Sequence, residues 1–575
     1  MKQEEFIKNI EGQQLTVIPL GGQSELGQVL WLVCYQGKIL IIDAGAAYPT
    51  RELPGVDLLL PNTNFLEANQ NKILALLLTS ANEEYMGAVS YLVKHVAVPK
   101  IMAPKFVNCL LEQTKEDLSE DHPLRHIEIE NTETKQTYQI GPFAVEWIKV
   151  NDAVVQTGAL CISVGKNEIV YMTSFKLDQT PVDHQLADIG RLAQLGESGT
   201  TLLIGTSAGT ERPGYSESES GLQQRLRSYI STARGRVIVL MSGTNSYRLQ
   251  TLIDIAKSCH RKILLLGDSL IHCAVASAMT ENLDYQPELE ISLEQMEKLP
   301  ENKILIVATG KEGNPMSALI ELANGSHRNL STKSADTIIY SGDVPPGRLR
   351  QMAMLLDQFL LAGIRIYWGE EHGVHVPRNA SQEELKLALS LIKPTYFVPA
   401  FGEGRHIMHH AQLAYDWGMP VSSVFPLQNG QILSIQDGEA EIRGRVEYQA
   451  VLVNRDHGER ITTFTANERL AMSLEGLITI SLIIDSNGQL VSGPQFDCSA
   501  ASFRYSMQWK EACTELTISI GEAINKWASD KTNEEKQTDE VAIRGLVRDT
   551  AYKTLRAQLQ TKPVLQIIIQ QLAAV

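Results

Sequence analysis

Cysteine, positive charge and long apolar runs are all in short supply. The seven cysteines, Cys34, Cys109, Cys161, Cys259, Cys273, Cys498 and Cys513, are scattered, with no C-x-x-C and no short Cys/His spacing. That pattern excludes a zinc ribbon and argues against a disulfide framework. Thiols inside strand-like runs such as LWLVCY and ALCISV read as reduced core residues of a cytoplasmic protein. Lysine and arginine total 51 against 67 aspartates and glutamates, a net charge of −16. The chain as a whole is therefore no polycation that grips nucleic acid through its phosphates, and any such site has to be a local basic groove. No apolar run approaches the ~20 residues of a membrane span. The opening MKQEEFIKNIEG has no apolar core for a signal peptide. With 43% hydrophobic and 21% charged residues, the composition is that of a water-soluble globular chain, long enough for roughly two to four domains.

What is present is strongly patterned. LTVIPL, VLWLVCY, KILIIDAG, KILALLLT, KIMAPKF, FAVEWIKV, GALCISV, EIVYMTS and TLLIGTS are rich in Val, Ile and Leu and bounded by Gly, Asn and Asp, so they read as strands. Helical stretches such as NCLLEQTKEDL and DIGRLAQLG fall between them, which predicts two sheets sandwiched between helices. From about Gly214 to Gly363 helix and strand alternate regularly, as in SYRLQTLIDIAKSC then KILLLG, the pattern of an inserted, doubly wound domain with a parallel sheet. ITISLIIDSNGQLVSGPQF reads as a hairpin turning at Asn487–Gly488, WASDKTNEEKQTDE as a charged helix end or loop, and the last 31 residues, GLVRDTAYKTLRAQLQTKPVLQIIIQQLAAV, as two helices separated at Lys562–Pro563.

One absence is local. LLLTSANEEYMGAVSYL, Leu76–Leu92, carries an apolar strand into a polar turn and a second apolar segment, the frame on which a metal-binding loop is presented, yet it contains no histidine. GGQSELG lacks the G-x-G-x-x-G spacing of a dinucleotide fingerprint, and GDSL at the end of a strand lacks a His/Asp partner for serine hydrolysis.

PLGGQSELG, IIDAGAAYP, PGVDLLLPNTNFLE, SFKLDQTPVD, GTSAGTERPGYSESE, VATGKEGNPMSAL, HVPRNASQEELKL and KPTYFVPAFGEGRH follow one another in order. Together they resemble the ribonuclease J family, of metallo-β-lactamase/β-CASP type, over nearly the whole chain. The resemblance implies an α/β fold: a metallo-β-lactamase αββα sandwich (residues 1–212 and 366–445) with an inserted β-CASP domain (213–365), a linker (446–475) and a small C-terminal α/β domain (476–575). It also implies a pair of divalent metals held by His and Asp, which polarise a phosphodiester and generate a hydroxide.

The positions that the resemblance assigns to those ligands are occupied by other residues. The His-x-His-x-Asp-His block falls on Ser80, Asn82, Glu84 and Tyr85, the next histidine on Asp152, the bridging aspartate on Ser174 and the last histidine on Phe401. None of the seven keeps its family residue. Glu84 and Asp152 could hold a lone Mg²⁺ or Ca²⁺ weakly; a two-metal phosphodiesterase is not expected from them. Tyr85 and Phe401 are expected to fill part of the metal cavity. The β-CASP acids and second histidine that the resemblance implies fall on Thr206, Asn314 and Asn379, with His375 kept, while Asp43 corresponds to a carboxylate that supports the site. His372, His375, His406, His409 and His410 are the densest histidine group, but the family frame spreads most of them along a helix.

Catalytic residues and a metal cofactor are thus not expected. The resemblance places an RNA backbone against blocks containing Asn245, Arg248, Ser269, His375 and Arg378, with Lys311 and Arg348 adding charge and Asp268 opposing it; ordinary loop polarity is the competing reading. The leading expectation is a non-catalytic scaffold or regulatory subunit in a cytoplasmic complex, homo- or hetero-oligomeric, paired with a protein such as an active ribonuclease J paralogue. Two alternatives stay open: a protein that binds single-stranded RNA without cutting it, and a ribonuclease with a rewired site using Glu84, Asp152 and a magnesium ion.

Overall fold

Strand-forming runs of β-branched and leucine residues pair up as their periodicity dictates. The computed structural model describes residues 14–49, 53–284, 286–345, 347–369, 372–454, 459–529 and 540–572. They fall into two compact units: a larger one that includes Leu58–Val451 and the described residues before position 50, and a smaller one built from Leu452 onward together with residues 53–57.

In the larger unit Leu15–Gly21, Leu30–Tyr35 and Lys38–Ile42 form an antiparallel meander. Ile73–Leu77, Lys100–Pro104 and Glu128–Thr132 extend it in parallel, and Gln431–Gln436 and Glu439–Arg445 close its other side. The second sheet runs Tyr396–Ala400, Leu202–Thr206, Asn167–Met172, Gly158–Val164, Phe143–Lys149, Thr137–Ile140. Side chains alternate along each strand, so each sheet has an inward and an outward apolar face. The inward faces meet in a core containing Trp31, Ile42, Leu77, Trp147, Ile162, Tyr171, Ile204 and Val398. Outward faces are covered by helices: Val89–His95 and Lys105–Asp117 on the first sheet, Ile189–Ser198, Gln382–Ile392 and Gly404–Trp417 on the second. The result is an αββα sandwich that needs the return segment after residue 365, because that segment supplies strands to both sheets.

The insertion carries a five-stranded, all-parallel sheet in the order Lys262–Leu266, Ile304–Ala308, Val237–Met241, Thr337–Ser341, Arg365–Trp368. The first strand in sequence, Val237–Met241, lies at the centre. The loops after the strands therefore gather at the carboxyl edge of the sheet, where doubly wound domains place ligands.

In the smaller unit Val451–Asn454 pairs with Glu459–Ile461 and is followed by the helix Thr463–Glu475. Much of the stretch that reads as a linker is thus part of this unit. The hairpin Leu477–Ile484/Leu490–Ser499 forms, with Gly488 at φ 79° in the turn. Helices Met507–Ser529 and Glu540–Leu559 pack on it through Leu516, Ile520, Ile543 and Val547. The expectation of two terminal helices is corrected: the segment after Pro563 is a strand, Val564–Gln571, parallel to Leu477–Ile484. Pro563 cannot continue a helix, and the run Ile567–Ile568–Ile569 suits a pleated surface. Most of the charged stretch 527–540 lies outside the described residues.

All seven cysteines are free. Burial pushes the Cys34 and Cys161 thiols up to about 12, which makes them inert core groups. No helix among the described residues is long and apolar enough to cross a membrane.

Candidate functional site

The strand Ile73–Leu77 ends in the turn that the sequence singles out. Asn82 starts the following helical turn Glu83–Met86, its Oδ1 accepting a bond from the Glu84 N–H at 3.0 Å. Asn at this place is a standard cap, so the side chain is engaged with its own backbone. Ser80 is fully buried and bonds to the Thr157 hydroxyl at 3.0 Å. Thr157 in turn lies 3.3 Å from Asp152 Oδ2, to which the Ser174 hydroxyl donates at 2.6 Å, while the Ala153 N–H donates to Asp152 Oδ1 at 2.7 Å. Four residues that stand at or beside ligand positions have become one hydrogen-bonded chain.

The aromatic pair does fill this place. Tyr85 and Phe401 are 0% and 1% exposed, their ring centroids 5.4 Å apart, and the Tyr85 hydroxyl donates to the Thr173 carbonyl at 2.6 Å. Phe401 keeps a left-handed backbone, φ 49°, rare for a residue with a side chain. Bonds from its N–H to the Gly22 carbonyl and from the Ser207 N–H to its own carbonyl hold it there. Asp43, likewise at φ 59°, is fully buried and accepts from the Thr79 N–H and hydroxyl and from the Tyr171 hydroxyl. Burial pushes its carboxyl up to about 7, with those donors opposing.

Arg378 is where the structure departs most from the sequence expectation. Expected to face a phosphate, it instead turns toward the sandwich. Its Nη2 forms an ion pair and hydrogen bond with Glu84, its Nε lies 4.0 Å from Asp152 Oδ1, and its guanidinium sits 5.9 Å from the Tyr85 ring centre. Burial works against the charge, but Glu84 and Asp152 together hold the guanidinium's pKa above its ordinary value. Burial raises the Asp152 carboxyl, with Arg378 and Ser174 pulling it back down.

Arg248 is a second correction. It is 1% exposed and fully engaged: with Glu219 at 2.6 Å, the Ser341 carbonyl at 2.7 Å and His375 Nδ1 at 2.9 Å. Burial alone would raise Glu219, but Arg248 and then Lys176 hold it below its ordinary value. Such a buried pair is structural, and Arg248 is not presented to a strand at the surface. Asn245 caps the helix Ser246–Ser258 through the Arg248 N–H and bonds to Glu219. His375 is held between Arg248 and Asp343, the latter at 3.0 Å from Nε2. Ser269 differs from all of these: its hydroxyl is buried against Gly243 and Gly313 with no hydrogen-bond partner. Asn314 caps the helix Pro315–Ala323, and the amide oxygen of Asn379 is buried and unpaired.

The histidine group is dispersed. His406 and His409 face Glu211, whose carboxylate is also paired with Arg405. Burial pushes His410 down to about 3, and it bonds to the Ser207 hydroxyl. Among the described residues no group of three His, Cys, Asp or Glu side chains is placed to hold a metal.

The donor chemistry does not fit the metal pair that the fold implies. Two carboxylates survive, one paired with a guanidinium and one saturated by hydroxyl and amide donors. Serine and asparagine oxygens are weak substitutes for imidazole, and two rings occupy the remaining corners. The partners that the sequence did not expose are Glu219, Asp343 and Thr157.

A two-sheet sandwich interrupted by a parallel five-stranded domain, with residues 375–378 touching both, defines the metallo-β-lactamase/β-CASP class. Residues 234–359 match the family model "Ribonuclease J, beta-CASP domain" and residues 465–572 match "Ribonuclease J C-terminal domain". The chain is 30% identical to a ribonuclease J of Helicobacter pylori over 84% of its length and 69% of the relative's. It is 27% identical to ribonuclease J2 of Bacillus subtilis over 98% of its length and 100% of the relative's, and 27% identical to a ribonuclease J of Synechocystis over 98% and 88%. A crystal structure of a protein of unknown function from Enterococcus faecalis superimposes with a TM-score of 0.52 at 16% identity, over 73% of this chain and 100% of that one, which speaks for the fold alone. The chain belongs to the ribonuclease J family.

Proposed function

We propose that this member of the ribonuclease J family is catalytically inactive and works as a scaffold or regulatory subunit in a cytoplasmic protein complex, as an oligomer with a protein partner such as an active ribonuclease J paralogue. One observation carries the reading: at the seven positions where the family frame places metal ligands, every polar side chain is bonded to another group of this chain, and the remaining space holds Tyr85 and Phe401. A hydroxide nucleophile needs a cation with an open coordination position, and such a position requires donors that are not already engaged. The match spans the whole of the Bacillus subtilis ribonuclease J2, 88% of the Synechocystis relative and 69% of the Helicobacter pylori one.

The test has two arms. Purified protein incubated with single-stranded RNA and Mg²⁺ or Mn²⁺ is expected to leave the RNA intact; metal-dependent cleavage abolished by Glu84→Ala would install the rewired nuclease instead. Size-exclusion chromatography and pull-down from the native host are expected to return a stoichiometric protein partner; a lone monomer would remove the scaffold reading.

A second reading, single-stranded RNA bound without cleavage, is favoured by Ser269. Its buried hydroxyl lies near Gly243 and Gly313 without a hydrogen-bond partner, at the carboxyl edge of a parallel sheet where ligands are commonly bound. This reading expects salt-sensitive binding of 5′-monophosphorylated RNA that weakens in Ser269→Ala. Equal, negligible binding by wild type and variant would discard it.

A further inference from the structure

The two carboxylates that survive at the old ligand positions come from separate loops of the sandwich. Glu84 opens the short helix after Ile73–Leu77, and Asp152 follows the strand Phe143–Lys149. Asp152's side chain is wholly buried, whereas that of Glu84 is 28% exposed. Two anions in a partly desolvated place need a counter-charge. Among the described residues the only side chain in an ion pair with both is Arg378, 13% exposed, which pairs directly with Glu84 and lies 4.0 Å from Asp152. Lys176, also buried, adds a more distant positive charge while donating to the Glu217 carbonyl at 2.6 Å.

We propose that Arg378 is the resident cation of this site, a guanidinium seated between Glu84 and Asp152 where the fold would otherwise carry metal, and that removing it uncovers a binding site for a single divalent ion on those two carboxylates. Arginine suits the role. Its charge is permanent, it presents several donors in a plane, and it tolerates partial burial against an aromatic ring better than an ammonium does. Its position in the chain gives it a second effect. Arg378 lies three residues after His375, which is tied to Arg248 and Asp343 in the inserted domain. The segment 375–378 therefore holds the insertion at one end and the sandwich at the other through ionic and hydrogen-bonded contacts of the chain itself.

A scaffold and an RNA-binding protein could each contain this arrangement, so its failure leaves both readings of function standing. The experiment is Mn²⁺ titration of the full-length protein, followed by calorimetry and by electron paramagnetic resonance of free Mn²⁺, for wild type, Arg378→Met, Arg378→Lys and Arg378→Met with Glu84→Gln. Wild type is expected to bind no Mn²⁺ stoichiometrically and to unfold at the same temperature with and without EDTA. Arg378→Met is expected to take up one Mn²⁺ per chain at least about tenfold more tightly than wild type, a modest fraction of what a unit charge at this range is worth. Arg378→Lys, which keeps the charge, and the double variant, which loses one carboxylate, are both expected to lose that uptake. Wild type that binds Mn²⁺ as tightly as Arg378→Met, or a folded Arg378→Met with no uptake, overturns the proposal. If Arg378→Met does not fold, the lysine variant decides: stoichiometric Mn²⁺ on it, or a wild type that EDTA destabilises, also overturns it.

Discussion

The ligand positions of the family frame on the sandwich and two loop hydroxyls at the carboxyl edge of the inserted sheet differ in how their polar groups are engaged, although the sandwich also buries unpaired polar atoms at Thr173, Thr206 and Asn379. On the sandwich side Ser80, Asn82, Glu84, Asp152 and Ser174 all bond within the chain, and the apolar remainder is closed by Tyr85 and Phe401. On the insertion side the hydroxyls of Ser269 and Thr309 are buried without partners. Unsatisfied buried groups cost about 1–3 kcal/mol each. At the sandwich positions the polar side chains are engaged within the chain.

That contrast can be broken. The largest effect is expected for Arg248→Ala, which sits on the insertion side but behaves like the sandwich side: stranding Glu219 should lower unfolding stability by about 3–5 kcal/mol in urea. Unchanged stability with lost RNA affinity would move Arg248 back among the phosphate contacts. Next is Asp43. Its folded-state carboxyl, at about 7, lies above the ordinary value of about 4. The folded state therefore holds the extra proton between those values, and the stability it contributes, full below about pH 4, is lost as pH rises through about 7. Asp43→Asn should flatten that slope, by on the order of 4 kcal/mol across the window; a slope identical in both proteins would show that Asp43 ionises normally. Tyr85→Phe removes one buried bond to the Thr173 carbonyl and should cost about 1 kcal/mol, measured by thermal unfolding, whereas no cost would mean that the ring alone fills the space. Ser269→Ala should not destabilise and should raise stability by about 1 kcal/mol or less, because an unpaired buried hydroxyl is removed and no bond is lost. A clear destabilisation would mean that this hydroxyl is structural and the two regions are alike.

Much of this architecture was legible in the sequence because it rests on short-range pattern. The nine strand runs read from the first 206 residues are all strands, since Val, Ile and Leu alternating between Gly and Asn boundaries have few other ways to bury themselves. The residue types at Ser80, Asn82, Tyr85, Ser174 and Phe401 could be set against the ligand positions only through the family resemblance. Pairing was not legible. Arg378 and Glu84 are 294 residues apart, and nothing local to either marks the other. Arg248 reads as a surface cation until Glu219 is seen beside it. The terminal strand Val564–Gln571 was misjudged because an apolar run of eight residues fits a buried helix or a strand, and only its pairing with Leu477–Ile484 settles which.

The return of the chain to the sandwich has a consequence for synthesis. Leu15–Gly21 takes its outer neighbour from Gln431–Gln436, and Thr16 meets Ser434 across 418 residues. A ribosome adding roughly 5–20 residues per second needs roughly 20 to 80 seconds to supply that neighbour. Throughout that interval the first sheet stands with a bare hydrogen-bonding margin, and a nascent chain stalled inside the insertion presents a ready template for wrong strand pairing. Translation pauses between residues 213 and 430 should therefore reduce the yield of folded protein more than pauses after residue 445.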